Sequence, residues 1–178
     1  GDGDDELYGG GGADTLIGGS GNDLLVSDFI AAQDGNDTLD GGSGNDQLSA
    51  GGGDDLLLGG SDDDVLFGQD GNDVLDGGSG NDTFVGGNGA DVYVFAAGGG
   101  QDVVKDGTVE DTVLADGLLS SDVISTRSGN DLLFTVFGTS DQLTLQSFFV
   151  SAGHHIGHIE FSDGVIFDGA TLADRARL

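Results

Sequence analysis

Along the first hundred residues, apolar side chains recur at a fixed interval of nine, each inside a short triplet that follows a run of Gly, Asn, Ser and Asp. Neither the 3.6-residue period of an amphipathic helix nor the sustained alternation of a long strand fits this spacing. It fits a very short strand alternating with a tight turn. In register the units read GDGDDELY from Gly1, GGGGADTLI from Gly9, GGSGNDLLV from Gly18, AQDGNDTLD from Ala32 and GGSGNDQLS from Gly41. They continue with AGGGDDLLL from Ala50, GGSDDDVLF from Gly59, GQDGNDVLD from Gly68, GGSGNDTFV from Gly77 and GGNGADVYV from Gly86. After two inserted residues, AGGGQDVVK from Ala97 is a degenerate eleventh unit.

The consensus is GGxGxDxUx, with U apolar. Gly at positions 1, 2 and 4 answers the need for positive φ and close backbone approach, and Asn at position 5 tolerates the left-handed region next best. Positions 7 to 9 are predicted as a three-residue strand. Position 8 is Leu in eight successive units and then Phe84 and Tyr93, so one side chain per strand points inward. Two units then close a flattened coil of about eighteen residues, and coils stack at the ~4.8 Å strand spacing.

From Val103 the nine-residue period stops. Alternating patterns at 122–127, 132–137, 142–145 and 159–167 predict longer strands, with SGND at 128–131 and SDG at 162–164 as hairpin turns. Phe134, Phe137, Phe148, Phe149, Phe161 and Phe167 supply a small apolar core. A solenoid needs its open end covered, so this segment is expected to cap the last coils, with the larger Phe84 and Tyr93 fitting a widening junction. The expected architecture is all-β: a parallel β-roll solenoid over 1–102 and a β-rich capping segment over 103–178. The final ATLADRARL reads as a short helix.

Charge changes this picture. Thirty Asp and three Glu face four basic residues, a formal charge of -29, and no Lys or Arg precedes Lys105. Composition alone resembles a disordered acidic chain, but Asp recurs in phase with Gly, which a solvating tail does not require. The charge excludes nucleic acid and anionic membrane surfaces as direct partners. No Cys is present, so no disulfide or thiolate site staples the fold. No apolar run approaches the ~18 residues of a membrane span, and no signal peptide opens the chain. The chain begins part-way through a unit, as expected of a fragment.

Stacking sets position 6 of one unit over position 6 of the unit two along. One edge is expected to carry Asp5, Asp23, Asp46, Asp64 and Asp82, the other Asp14, Asp37, Asp55, Asp73 and Asp91, with Asp102 adding to the first. Unpaired carboxylates so placed repel, whereas Ca²⁺ takes six to eight oxygens at ~2.4 Å from carboxylates and carbonyls. Four adjacent pairs per edge predict about eight Ca²⁺ ions.

These units resemble the RTX family, the haemolysin-type calcium-binding repeat, and DLLFTV and IEFSDGVIFD resemble the domain that often follows its repeats. The resemblance implies further ligands in the carbonyls of positions 2 and 4: Gly10, Gly12, Gly19, Gly21, Gly35, Gly42, Gly44, Gly51, Gly53, Gly60, Asp62, Gly71, Gly78, Gly80, Gly87 and Gly89. The carbonyls of positions 1 and 3 are implied for the turn above. It also implies a bacterial exoprotein, secreted to the extracellular space by the type I secretion machinery, with this module as part of a larger secreted polypeptide.

Departures mark weaker sites: Ala32 and Gln33 replace both leading Gly residues, Gln69 replaces one, and Asp62 stands at position 4, where a left-handed conformation costs a non-Gly residue ~1 kcal/mol or more. The extra segment at 27–31, with Phe29 and Ile30, reads as a locally packed loop, with contact to a partner domain as the alternative. His154, His155 and His158 suggest zinc by spacing, but Gly153 and Gly157 interrupt any helix and no fourth ligand is near, so a polar surface loop is preferred. No EF-hand, P-loop or nucleophile-elbow motif occurs, and equivalent carboxylate pairs do not make an acid–base couple, so no catalysis is expected. Polar strand positions such as Thr15, Thr38 and Gln47 leave a polysaccharide-binding or adhesive surface as the alternative function.

Overall fold

The computed structural model describes residues 1–28, 35–150, 156–169 and 171–172. Its strands are β1 (Glu6–Tyr8), β2 (Thr15–Ser20), β3 (Leu24–Val26), β4 (Thr38–Ser43), β5 (Gln47–Gly52), β6 (Leu56–Ser61), β7 (Val65–Asp70), β8 (Val74–Ser79) and β9 (Thr83–Asn88). There follow β10 (Val92–Ala96), β11 (Gln101–Val104), β12 (Thr112–Asp116), β13 (Val123–Ser128), β14 (Asp131–Val136), β15 (Gln142–Leu145), β16 (His158–Phe161) and β17 (Ile166–Asp168). Through β12, alternate strands belong to opposite sheets. One runs β1-β3-β5-β7-β9-β11-β15-β14-β13 and the other β17-β16-β12-β10-β8-β6-β4-β2.

This is a parallel β-roll, because each nonapeptide crosses the molecule once and the next crosses back. The strands are longer than the expected triplets. Most span six residues, since the Gly-Gly-x that opens the next unit also pairs, as in Gly42 with Gly60 and Ser43 with Ser61. Between the sheets lies a single column of position-8 side chains, in which Leu25, Leu39, Leu48, Leu57, Leu66, Leu75, Phe84 and Tyr93 are wholly buried. Two residues per eighteen fill a core only one side chain thick, which is why so thin an apolar content suffices.

The five-residue insertion enters at a different place from the one the repeat alignment gives. Ser27 donates its N–H to Ser49 O, Asp28 donates to Ala50 O, and Gly10 donates to Ser27 O. Ser27 and Asp28 therefore hold positions 1 and 2 of the fourth unit, both buried, in place of Ala32 and Gln33. Gly35 resumes position 4, donating to Gly52 O. Ala32, Gln33, Phe29 and Ile30 lie outside the described residues.

After Val103 the chain continues both sheets. β12 pairs in parallel with β10, β16 with β12, and β15 with β11. Two antiparallel hairpins then end the sheets: β13–β14, turning at Gly129 (φ 64°), and β16–β17. Phe134, Phe148, Phe161 and Phe167 are buried there as expected, with Phe149 partly so. Phe137 is not, being 76% exposed. Leu132, Phe134 and Val136 take the inward face of β14, and strand alternation sends the next residue out. The expected C-terminal helix falls mostly outside the described residues.

Candidate metal centres

Each turn presents its position-6 Asp in the same way. The Oδ1 atom of Asp23 accepts the backbone N–H of Asp5, and the pattern repeats through Asp46, Asp64, Asp82 and Asp102, with distances of 2.7–3.0 Å. On the other edge Asp37 accepts from Asp14, followed by Asp55, Asp73, Asp91 and Asp111 at 2.7–3.0 Å. Both expected rows exist, and the alternation survives the insertion. Each row holds six aspartates, since Asp111, which the nine-residue register does not reach, extends the second. Leu143 stacks after Asp102, and Gly157 donates its N–H to Asp111 O, so neither row gains another Asp in register, although buried Asp141 lies close enough to Asp102 to raise its pKa.

One oxygen per Asp is thus used by the backbone. The other is stranded. Oδ2 of Asp14, Asp23, Asp37, Asp46, Asp55, Asp64, Asp73, Asp82 and Asp91 is buried with no hydrogen-bond partner. Leaving a buried carboxylate oxygen unsatisfied is costly unless a cation reaches it. Burial raises the carboxyl pKa of Asp64, Asp73 and Asp102 to about 7 and of Asp55, Asp82 and Asp91 to about 6. In all six the accepted N–H opposes that shift and neighbouring aspartates add to it. A cation at Oδ2 removes both the repulsion and the burial penalty.

Position-1 glycines make room for it. At Gly59 a Cβ would lie 2.5 Å from Asp64 Oδ2 and 2.7 Å from Gly77 O, the position-1 carbonyl of the next coil. The same pair of oxygens, an Asp Oδ2 and a carbonyl from the coil above, crowds Gly18, Gly41 and Gly68. These glycines do not need positive φ; they need space. Positive φ belongs to positions 2 and 4, as at Gly42 (106°) and Gly44 (118°). Asp62 (79°) and Gln69 (83°) adopt it without being Gly. Among the described residues no three His, Cys, Asp or Glu side chains converge as a metal cluster. A carboxylate plus Gly-turn carbonyls is a donor set for a hard, oxygen-seeking cation, and it fits Ca²⁺.

The residues whose carbonyls the family resemblance implies as ligands, Gly10, Gly12, Gly19, Gly21, Gly35, Gly42, Gly44, Gly51, Gly53, Gly60, Asp62, Gly71, Gly78, Gly80, Gly87 and Gly89, stand at positions 2 and 4 of the described turns. Gly44, Asp62 and Gly80 donate N–H to the coil above, as do Gly21, Gly53 and Gly71, which holds the turns in register. Position 5 has a role that the sequence reading assigned to backbone tolerance. Its backbone is not left-handed; Oδ1 of Asp4, Asn22, Asn45, Asp63 and Asn81 accepts the position-5 N–H of the coil above. This second ladder runs opposite in direction to the first.

A model of the RTX calcium-binding nonapeptide repeat (4 copies) matches residues 1–25, 27–57 and 58–93, together more than half of the chain. The chain belongs to this RTX family. A second model, the haemolysin-type calcium binding protein related domain, matches residues 131–171. No curated protein matches. Among solved structures, the extracellular lipase LipA from Serratia marcescens is similar at 19% identity and a TM-score of 0.33, over 81% of this chain and 36% of the lipase chain. The chain thus spans about a third of that structure's length.

The RTX repeats make this a Ca²⁺-binding module. His154 and His155 lie outside the described residues; His158 is within hydrogen-bond reach of Glu160 Oε1 (3.0 Å) and Thr112 Oγ1 (3.3 Å). The register column through Thr15 and Thr38 is aliphatic at Leu56, Val74 and Val92 and polar again at Thr112. No helix among the described residues is long and apolar enough to cross a membrane.

Proposed function

We propose that this RTX module is a calcium-triggered folding unit of a larger secreted bacterial protein, exported unfolded by type I secretion and folding on Ca²⁺ outside the cell. The observation that carries this reading is the pair of aspartate rows, in which nine of the twelve carboxylates keep a buried Oδ2 with no hydrogen-bond partner, and the absence of any Lys or Arg before Lys105. Without ions the charge of -29 and the buried carboxylates oppose stacking. With them, each ion ties one coil to the next, and binding free energy becomes folding free energy.

About eight Ca²⁺ ions satisfy the consensus repeats, with the pairs Asp82–Asp102 and Asp91–Asp111 as additions. Affinities of ~10⁻⁴ to 10⁻³ M, typical of extracellular modules, keep the chain open where free Ca²⁺ is scarce and close it where Ca²⁺ is abundant. The module is a binding and folding device and does no catalysis of its own: its carboxylates are equivalent, and none is set apart as acid or base. A far-UV circular dichroism titration tests the proposal. The expected result is a cooperative gain of β signal between chelator and millimolar Ca²⁺; equal spectra in the two conditions overturn it.

A further inference from the structure

Apart from the aspartate rows, the backbone ladder that joins successive turns has an open rung. From Gly21 to Gly80 each position-4 residue donates its N–H to the position-3 carbonyl of the coil above, as Gly53 does to Asp70 O and Gly71 to Asn88 O, both at 2.9 Å. Gly89 is next in line, and among the described residues nothing accepts its N–H. With Val92 opposite Thr112, the carbonyl due above it is Thr108 O, which instead accepts the Asp111 N–H of its own turn at 3.3 Å. The residue before Gly89 is Asn88, exposed, with Nδ2 donating to Asp70 Oδ1 at 2.7 Å. No other Asn in the chain is followed by Gly. The remaining repeat asparagines, Asn22, Asn36, Asn45, Asn72 and Asn81, each precede an Asp. In all of them the following N–H is held, since Asp23, Asp37, Asp46, Asp73 and Asp82 donate it to a carboxylate of the next coil at 2.7–3.0 Å. Their amide Oδ1 atoms each accept a second N–H from that coil.

We infer that Asn88–Gly89 is a self-modification site, at which the folded chain deamidates, and that the product loosens this coil from the one carrying Asp70. The Gly89 nitrogen, losing its proton to solvent, bonds to Asn88 Cγ; the Cγ–Nδ2 bond breaks and Nδ2 leaves as ammonia. Water then opens the resulting succinimide at either carbonyl to Asp or isoaspartate, so that one water is consumed and one ammonia released. An N–H outside the ladder is the nucleophile this step requires, and Gly has no side chain to hinder the approach. The product sets a carboxylate against Asp70 in place of a donor, and like charges a hydrogen-bond length apart repel. Isoaspartate also lengthens the backbone by a methylene where Asn88 O accepts the Gly71 N–H.

Peptide mapping by mass spectrometry, on the full chain incubated at mildly alkaline pH, separates amide, Asp and isoaspartate at each position. In millimolar Ca²⁺, conversion is expected at Asn88 while Asn22, Asn36, Asn45, Asn72 and Asn81 stay amide. Chelator is expected to raise conversion at those five and to change it little at Asn88. Suppression by Ca²⁺ as deep at Asn88 as at the other five overturns the inference, and so does equal conversion at all six in Ca²⁺. Circular dichroism of the same samples shows separately whether the reading of Ca²⁺-driven folding fails. For the consequence, Asn88→Asp is expected to shift the Ca²⁺ midpoint of folding upward, and the double variant Asn88→Asp/Asp70→Asn to bring it back. An unchanged midpoint in Asn88→Asp overturns the loosening.

Discussion

Position 1 of each turn is where a single atom decides the chemistry. A methyl at Gly59 would occupy the space shared by Asp64 Oδ2 and Gly77 O, with no backbone strain to confuse the result. Gly59→Ala is therefore expected to destabilise the Ca²⁺-loaded fold by about 1–3 kcal/mol and to remove one ion, as counted by calorimetry. Among the repeats of the second row, Ser27 and Ala50 already carry a side chain at position 1, beside Asp37 and Asp55, as does Asp106 in the turn of Asp111. The reverse substitution Ala50→Gly is expected to tighten the site at Asp55, shown by a lower Ca²⁺ midpoint, although Gly itself costs about 0.5–1 kcal/mol in a strand. Asp at position 6 was legible from its phase alone. The reason for Asn at position 5 was not, because its acceptor role requires a partner eighteen or more residues away.

Strands in this roll have little to hold them besides one inward side chain and the ladder hydrogen bonds. Leu66 in β7 is wholly buried between Leu48 and Phe84 of the neighbouring coils. Leu66→Ala is expected to cost about 2–5 kcal/mol in Ca²⁺, read from chemical denaturation. Phe137→Ser is expected to leave that midpoint nearly unchanged, because the ring is 76% exposed. The nine-residue period made the inward residues readable, yet it understated strand length, because pairing of Gly-Gly-x depends on a coil stacked above. It also misplaced the insertion: Ser27 and Asp28 look like loop residues until the hydrogen bonds to Ser49 and Ala50 put them in the turn.

For the whole molecule the electrostatics carry a sign that pH exposes. Burial raises the carboxyl pKa of Asp64, Asp73 and Asp102 to about 7 and of Asp55, Asp82 and Asp91 to about 6. Between roughly pH 4 and 7 the ion-free fold thus binds more protons than the unfolded chain. Its stability is greatest below the unfolded carboxylate pKa and is lost as pH rises through the folded values. In chelator, more β signal is expected at about pH 5 than at pH 7.5, whereas the apparent Ca²⁺ affinity is expected to rise with pH, because the ion binds only the ionised form. A chelator spectrum that gains order on alkalinisation contradicts this account. The sequence by itself determined the roll, its inward column, both rows of aspartates and the need for a cation, because each follows from what every ninth residue is. Only the tertiary structure decided where the rows end, that Asp111 joins them, that Tyr93 reaches a turn, and that the last strands extend the same two sheets. Those outcomes depend on contacts across offsets of eighteen residues or more, beyond the point where the nine-residue period stops.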